Sequence, residues 1–100
     1  MAMLHIVRDS GFTSNALAQC LNMSLPQDAI LLMDDGCYNL QHPLLLAALT
    51  KQPEVTVYFV SLHANARAQR SEQTLFTAIT FDDVLKLIFT FDNSITWSWQ

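Results

Sequence analysis

The chain carries two cysteines, Cys20 and Cys37, whose thiolates would be its strongest nucleophiles. They lie too far apart in the sequence to form a CxxC redox pair. Cys20 falls on the apolar face of a predicted helix with Leu17 and Leu21, where a free cysteine is commonly a small core residue. It lies in the middle of that helix, so the helix dipole would lower its pKa little. The residues alone therefore leave Cys20 as either a core thiol or a nucleophile.

Cys37 stands in a different setting, in a predicted loop just past a strand and directly after Gly36. The carboxyl ends of parallel strands present ligand-contacting residues, and exposure there favours reactivity. Asp34 and Asp35 oppose it, because nearby negative charges raise the pKa of a thiol. The alternative interpretation is a loop thiol without a role.

The remaining polar residues form no motif typical of catalysis or metal binding. Asp34 and Asp35 are either a carboxylate pair for Mg²⁺ or the residues of a turn. The histidines His5, His42 and His63 fall on a predicted strand, loop and helix, and their spacing is not that of metal ligands. The sequence has no GxGxxG, no P-loop lysine and no nucleophile elbow. We therefore expect no metal and no cofactor.

Strand and helix signals alternate along the chain. The predicted strands are 3–7, 29–33, 55–60, 75–79 and a half-buried last strand through Ile95, Trp97 and Trp99. The predicted helices run from a cap at Thr13 or Ser14 to about 23, from Pro43 to about 50, from a Ser61 cap to about 69, and over 84–91 after a Thr80–Asp83 capping box. This β-α-β-α-β-α-β-α-β order predicts a single α/β domain, with a mostly parallel sheet of about five strands and helices on both faces.

The composition predicts an assembly. The 100 residues are 51% hydrophobic but only 14% charged, against about 25% charged in an average soluble domain. Too few charges remain to cover the outside, so large apolar side chains must be exposed, and such surfaces are commonly buried against other subunits. The net charge of −4 argues against direct binding of nucleic acid, and no apolar stretch is long enough to cross a membrane. Two cysteines without a visible secretory signal predict free thiols in the cytoplasm.

Trp97 and Trp99 share one face of the predicted last strand. Two tryptophans at the end of a chain either cover the core or anchor an interface, where tryptophan is enriched at binding hot spots. Both interpretations stay open from the sequence.

A series of short motifs runs through nearly the whole chain. They are Met3-Leu4-His5, Ser10, Ile30-Leu31-Leu32-Met33-Asp34-Asp35-Gly36, Val57-Tyr58, Ala66-Arg67, Phe81-Asp82-Asp83-Val84-Leu85 and Trp97. In this order the chain resembles the TusB/DsrH family of small cytoplasmic sulfur-relay proteins, which belongs to the wider DsrE/F/H-like group. The chain departs from the family pattern at Ala68, where a glycine is usual, and at Cys37, where an aliphatic residue is usual. Met1-Ala2 is interpreted as a cloning addition before the natural start at Met3.

The resemblance implies a three-layer α/β fold and a hetero-hexamer with TusC/DsrF-like and TusD/DsrE-like subunits, two copies of each. It implies that the complex passes persulfide sulfur toward 2-thiolation of the tRNA wobble uridine or serves intracellular sulfur oxidation. The main active cysteine of such complexes lies on the TusD/DsrE-like subunit, but Cys20 matches a first-helix cysteine of DsrH-like members. A transient Cys20 persulfide is therefore the first expectation, with Cys37 as the alternative.

An accessory, scaffolding role within the same complex is the other expectation from the resemblance. A hypothesis of a different class is a non-catalytic interaction module with the same fold, forming a homo-oligomer when alone. A stand-alone enzyme has the least support, since no acid, base and nucleophile form a constellation.

Overall fold

Five strands alternate with helices in the computed structural model, which describes residues 3–52, 54–69, 76–91 and 93–97. The elements are, in chain order, β1 Met3–Val7, α1 Ala16–Met23, β2 Ala29–Leu32, a 3₁₀ helix Asp34–Gln41, α2 Pro43–Lys51, β3 Thr56–Val60, α3 Ser61–Ala66, β4 Phe76–Ile79, α4 Phe81–Thr90 and β5 Asn93–Trp97. The predicted alternation of strands and helices is confirmed.

The strands form one fully parallel sheet in the order β4-β3-β2-β1-β5. β2 lies at its centre, and all four of its residues are buried, as a strand covered on both faces should be. The first three crossovers step across the sheet in one direction, and the last returns to the far side of β1. Right-handed crossovers place oppositely directed connections on opposite faces.

The helices accordingly divide into two layers. α1, the 3₁₀ helix, α2 and α3 pack on one face of the sheet, over a core that includes Leu17, Cys20, Leu45 and Ala64. α4 packs on the other face, where Val84 meets a second core cluster. The predicted three-layer α/β fold is therefore correct.

The segment after β2 is the main difference from the predicted elements. A turn was expected at Asp34–Gly36, but the chain continues as an eight-residue 3₁₀ helix. Two features explain why it lies so close to the sheet. A Cβ atom on Gly36 would overlap the carbonyl oxygen of Val7, so only glycine fits there. The buried Asn39 side chain accepts from Gly11 N at 2.6 Å and donates to the Asp9 carbonyl at 3.0 Å, which joins the segment to the β1–α1 loop.

Smaller differences concern the ends of elements. α1 begins at Ala16, and its N-cap residue is Asn15 instead of the expected Thr13 or Ser14. The Ser14 hydroxyl still accepts a hydrogen bond of 3.3 Å from Ala16 N. α3 begins at Ser61 itself and ends at Ala66, short of the predicted end near 69. The predicted capping box of α4 is present.

The last strand is more exposed than predicted. Among the described strands, β5 pairs with β1 alone, at the edge of the sheet, and its residues are exposed except for Trp97, which is half-buried. An edge strand has a neighbouring strand on one side alone and is therefore less covered. The alternation of apolar and polar residues does not show that a strand lies at an edge. Trp99 and Met1-Ala2 lie outside the described residues.

Within the described ranges, no helix has the length and apolar character needed to cross a bilayer.

Candidate functional site

Cys20 faces the core from the last full turn of α1, and its side chain is 0% exposed. Its Sγ lies 3.8 Å from Ser24 Oγ, while the Ser24 hydroxyl donates to the Cys20 carbonyl at 2.8 Å. Leu17 is buried beside it and Leu21 is half-buried, as the helical spacing predicted. The thiol is therefore enclosed by its own helix and the sheet.

Burial raises the pKa of Cys20 to about 12. The nearby Ser24 side chain acts in the opposite direction and lowers the pKa, while the negative charge of Asp28 adds to the increase. A thiol with so high a pKa stays protonated at neutral pH, and only the thiolate is a good nucleophile. In this conformation Cys20 is unreactive.

Cys37 is also 0% exposed, so the expectation of an exposed loop thiol is wrong. The physical reason is the 3₁₀ helix, which turns the side chain inward beneath the ends of β2 and β3. There the Sγ–H lies 3.7 Å from the Leu32 carbonyl oxygen and 3.8 Å from that of Val60, and can donate to either. Acceptors of this kind favour the protonated thiol.

Burial also dominates the pKa of Cys37, which it raises to about 11. The positive charge of Arg67 lowers the pKa, while Asp34 and, more weakly, Asp35 raise it. The predicted effect of the two carboxylates on the pKa of Cys37 is confirmed, but the larger effect of burial and the opposing charge of Arg67 do not follow from the sequence.

A cluster of charged side chains covers Cys37 at the carboxyl ends of the strands. Arg8, directly after β1, contacts the Asp34 carboxylate at 2.8 Å, and Arg67 contacts that of Asp35 at 2.8 Å. His63 Nδ1 accepts from the Asp34 backbone N at 3.0 Å. Asp34 adopts a left-handed φ of 50°, so the backbone is strained where it turns over the strand ends.

The sequence could place Asp34 and Asp35 at the sheet edge but could not pair them. Arg8 follows a strand and Arg67 follows a helix, and nothing in the spacing shows that both return to the acidic pair. Each aspartate has an arginine partner, which favours an ion-pair turn over a Mg²⁺ site. Among the described residues, no group of three or more histidine, cysteine or acidic side chains is placed to hold a metal ion.

A second polar cluster, formed by His5, Asp28 and Trp97, lies between α1 and the β5 edge. Trp97 Nε1 donates to His5 Nδ1 at 3.1 Å, and His5 Nε2 lies 2.9 Å from Asp28 Oδ2. Because indole nitrogen only donates, His5 must carry its proton on Nε2 and donate it to Asp28. Asp28 also accepts from the backbone N of Met3 and of Leu25. The prediction of a packed His5 is confirmed, but its two hydrogen-bond partners do not follow from the sequence pattern.

This cluster bears on the two interpretations of Trp97. Its ring lies nearly parallel to that of His5, with 6.2 Å between centroids, and it packs against the core on the α1 face. Trp97 therefore covers the core from the edge strand. Its further role as an interface anchor stays a prediction, and the same prediction for Trp99 lies outside the described residues.

The family described as DsrH-like protein matches residues 9–94, which is most of the chain. The chain belongs to the DsrH-like family. The resemblance read from the sequence motifs is thereby confirmed.

Two solved structures share the fold. The ychN protein from E. coli superposes with a TM-score of 0.74 over 97% of this chain and 100% of its own, at 16% sequence identity. Protein Tm0979 from Thermotoga maritima gives a TM-score of 0.62 over 90% of this chain and 93% of its own, at 18% identity. At such identities the likeness is one of fold. No curated protein matches the sequence.

Proposed function

We propose that this protein is a subunit of a cytoplasmic sulfur-relay complex that handles persulfide sulfur. The observation that carries the proposal is the DsrH-like family match over residues 9–94. The partners are TusC/DsrF-like and TusD/DsrE-like subunits in a hetero-hexamer. The exposed apolar side chains of this chain, among them Leu62, Leu85 and Phe89, support a role inside an assembly.

Within that complex the geometry favours an accessory role. Both thiols are fully buried and both have raised pKa values, so neither is prepared to attack a persulfide. Sulfur transfer needs a thiolate that can reach the donor sulfur. The chain would then support the cysteine of a TusD/DsrE-like partner without carrying sulfur itself.

A second candidate role makes Cys20 a transient carrier of sulfur. The position of Cys20 near the end of α1 favours this role. Cys20 is four residues before Ser24, which caps α1, and the neighbouring Met23 and Leu25 are exposed. Fraying of one helical turn would uncover Cys20, whereas uncovering Cys37 requires moving a 3₁₀ helix held by two arginine–aspartate pairs. Cys37 is therefore the weaker alternative.

Sulfur transfer through the co-purified complex separates these roles. Radiolabelled persulfide from a cysteine desulfurase is offered to complexes carrying the native chain, Cys20→Ser or Cys37→Ser. The accessory role predicts unchanged transfer with both variants and loss of transfer when the chain is omitted. The carrier role predicts loss with Cys20→Ser alone. Undiminished transfer without this chain contradicts both.

Deletion of the gene in the source organism tests which process receives the sulfur. Deleting the gene should remove 2-thiouridine from the tRNA wobble position if the relay serves tRNA modification, and should slow oxidation of reduced sulfur if it serves that process. A deletion that changes neither, while the purified protein forms only a homo-oligomer, would favour the non-catalytic interaction module.

A further inference from the structure

Helix α4 carries a second apolar face that the chain itself does not cover. Val84, Leu87 and Ile88 pack toward the sheet. Phe81, Leu85 and Phe89 follow one another at four-residue spacing along the outer flank of the helix, and they are 56%, 61% and 84% exposed. A helix that is apolar on this much of its circumference is usually buried on both sides.

The area of this α4 stripe (Phe81, Leu85 and Phe89) fits an interface of ordinary size. A phenylalanine side chain presents about 200 Å², so the three residues expose about 400 Å² of apolar surface. Exposed apolar patches of this size commonly mark interaction sites. An interface of about 800 Å² per partner is a little over half apolar, which gives about 450 Å². The stripe therefore supplies nearly the whole apolar share.

The charges beside the stripe indicate what covers it. Asp82 and Lys86 lie one helical turn apart on its solvent side, next to Phe81 and Leu85. Lys86 is 81% exposed, and its one ion-pair contact within the described part of the chain is a long one of 3.7 Å to Asp83, so its ammonium group is available to a partner. When two such helices run antiparallel about a two-fold axis near Leu85, Asp82 of each copy faces Lys86 of the other.

We propose that α4 pairs two copies of this chain through the stripe, antiparallel and about a two-fold axis. Phe81 of one copy then packs near Phe89 of the other, Leu85 packs on Leu85, and two reciprocal Asp82–Lys86 pairs flank the apolar centre. An isologous contact of this kind closes at two copies. The pairing depends on the surface of α4 alone, so it stands or falls independently of sulfur transfer.

Sedimentation equilibrium of the full chain tests the pairing. The native protein should be a dimer at tens of micromolar, and Leu85→Asp with Phe89→Asp should weaken the dimer at least about 30-fold, as hot-spot loss does. Leu44→Asp is the matched control, because Leu44 is 50% exposed on α2 at the opposite face. It should leave the dimer intact. Circular dichroism melting checks that each variant is folded.

A charge exchange tests the antiparallel geometry. Asp82→Lys and Lys86→Asp should each weaken the dimer about tenfold, because each places like charges together twice, and the double variant should restore the native affinity. A native protein that stays monomeric at 100 µM would refute the pairing. So would a dimer that Leu44→Asp disrupts as strongly as the α4 variants, or a double exchange that fails to rescue.

Discussion

At the scale of single residues, the two thiols are covered by different parts of the fold. Burial is the main cause of the raised pKa at both positions. Cys20 is covered by its own helix and the sheet, while Cys37 lies against two backbone carbonyls beneath a cluster of ion pairs. A partner subunit that opened α1 would expose Cys20 first.

Alkylation rates test the burial of the thiols. With a pKa of about 12 for Cys20 and about 11 for Cys37, only about one thiol in 10⁴ or 10³ is ionised at pH 8. Iodoacetamide should therefore label the native chain at least about 100-fold more slowly than the chain in urea. The single-thiol variants Cys37→Ser and Cys20→Ser report each site separately. Labelling of either thiol in native protein at the rate seen in urea would contradict this account.

The His5–Asp28 pair should make the stability of the fold depend on pH in the acid range. Burial pushes the pKa of Asp28 upward, but hydrogen bonds from His5, Leu25 N and Met3 N outweigh it and hold the pKa below its usual range. A lowered folded-state pKa stabilises the fold above the unfolded value of about 3.9, and that contribution is lost as pH falls through the folded pKa.

Replacing Asp28 therefore has an effect that depends on pH. Asp28→Asn should lower the free energy of unfolding by about 2–3 kcal/mol at pH 7, and the difference from native protein should shrink below pH 4. Urea unfolding at stepped pH measures it. Glu54→Gln is the control, since Glu54 is exposed in a turn, and it should change stability by less than about 0.5 kcal/mol. A constant Asp28→Asn difference down to pH 3 would contradict the assignment.

Residue types alone locate single side chains well only where an element is regular. The placement of Cys20 followed from helical spacing, and the burial of His5 from its place in an apolar strand. Cys37, Arg8 and Arg67 could not be placed, because their surroundings depend on how the 3₁₀ helix and the end of α3 meet over the sheet.

At the scale of elements, local pattern predicted most of the sheet. The continuous apolar run of β2 indicated a strand covered on both faces, and it is central. The 3₁₀ helix was missed because Asp34, Asp35 and Gly36 are typical turn residues, and its remaining residues lack a clear apolar period. The exposure of β5 was missed because strand order is a property of the whole sheet.

The close approach of Gly36 to β1 can be tested by substitution. Gly36→Ala should destabilise the fold by about 3 kcal/mol, because the new Cβ would overlap the backbone carbonyl of Val7 and the segment would have to move. Gly11→Ala is the matched control. Its Cβ would approach side-chain atoms of His42 and Leu17 at 2.9 Å and of Asn39 at 3.0 Å, and side chains can shift more easily than backbone. Equal losses in chemical unfolding would contradict this assignment.

At the scale of the whole molecule, the low content of charged residues is reflected in a surface that exposes large apolar side chains. Large apolar side chains are exposed on both helical layers, including Leu44 on α2 and Phe89 on α4. The low share of charged residues, 14%, does not indicate which face is exposed, and the structure places an apolar stripe on α4. A surface of this kind is consistent with a protein that works inside an assembly.

Native mass spectrometry of the protein isolated from its own cells is the sharpest test of whether it is a subunit of a mixed sulfur-relay complex. We expect one assembly containing two copies of this chain with two further kinds of chain of similar size. Denaturing mass analysis should find added sulfur on a cysteine of a partner; added sulfur on Cys20 would instead support the carrier role. A homo-oligomer or monomer, with no related chain and no added sulfur, would contradict the claim.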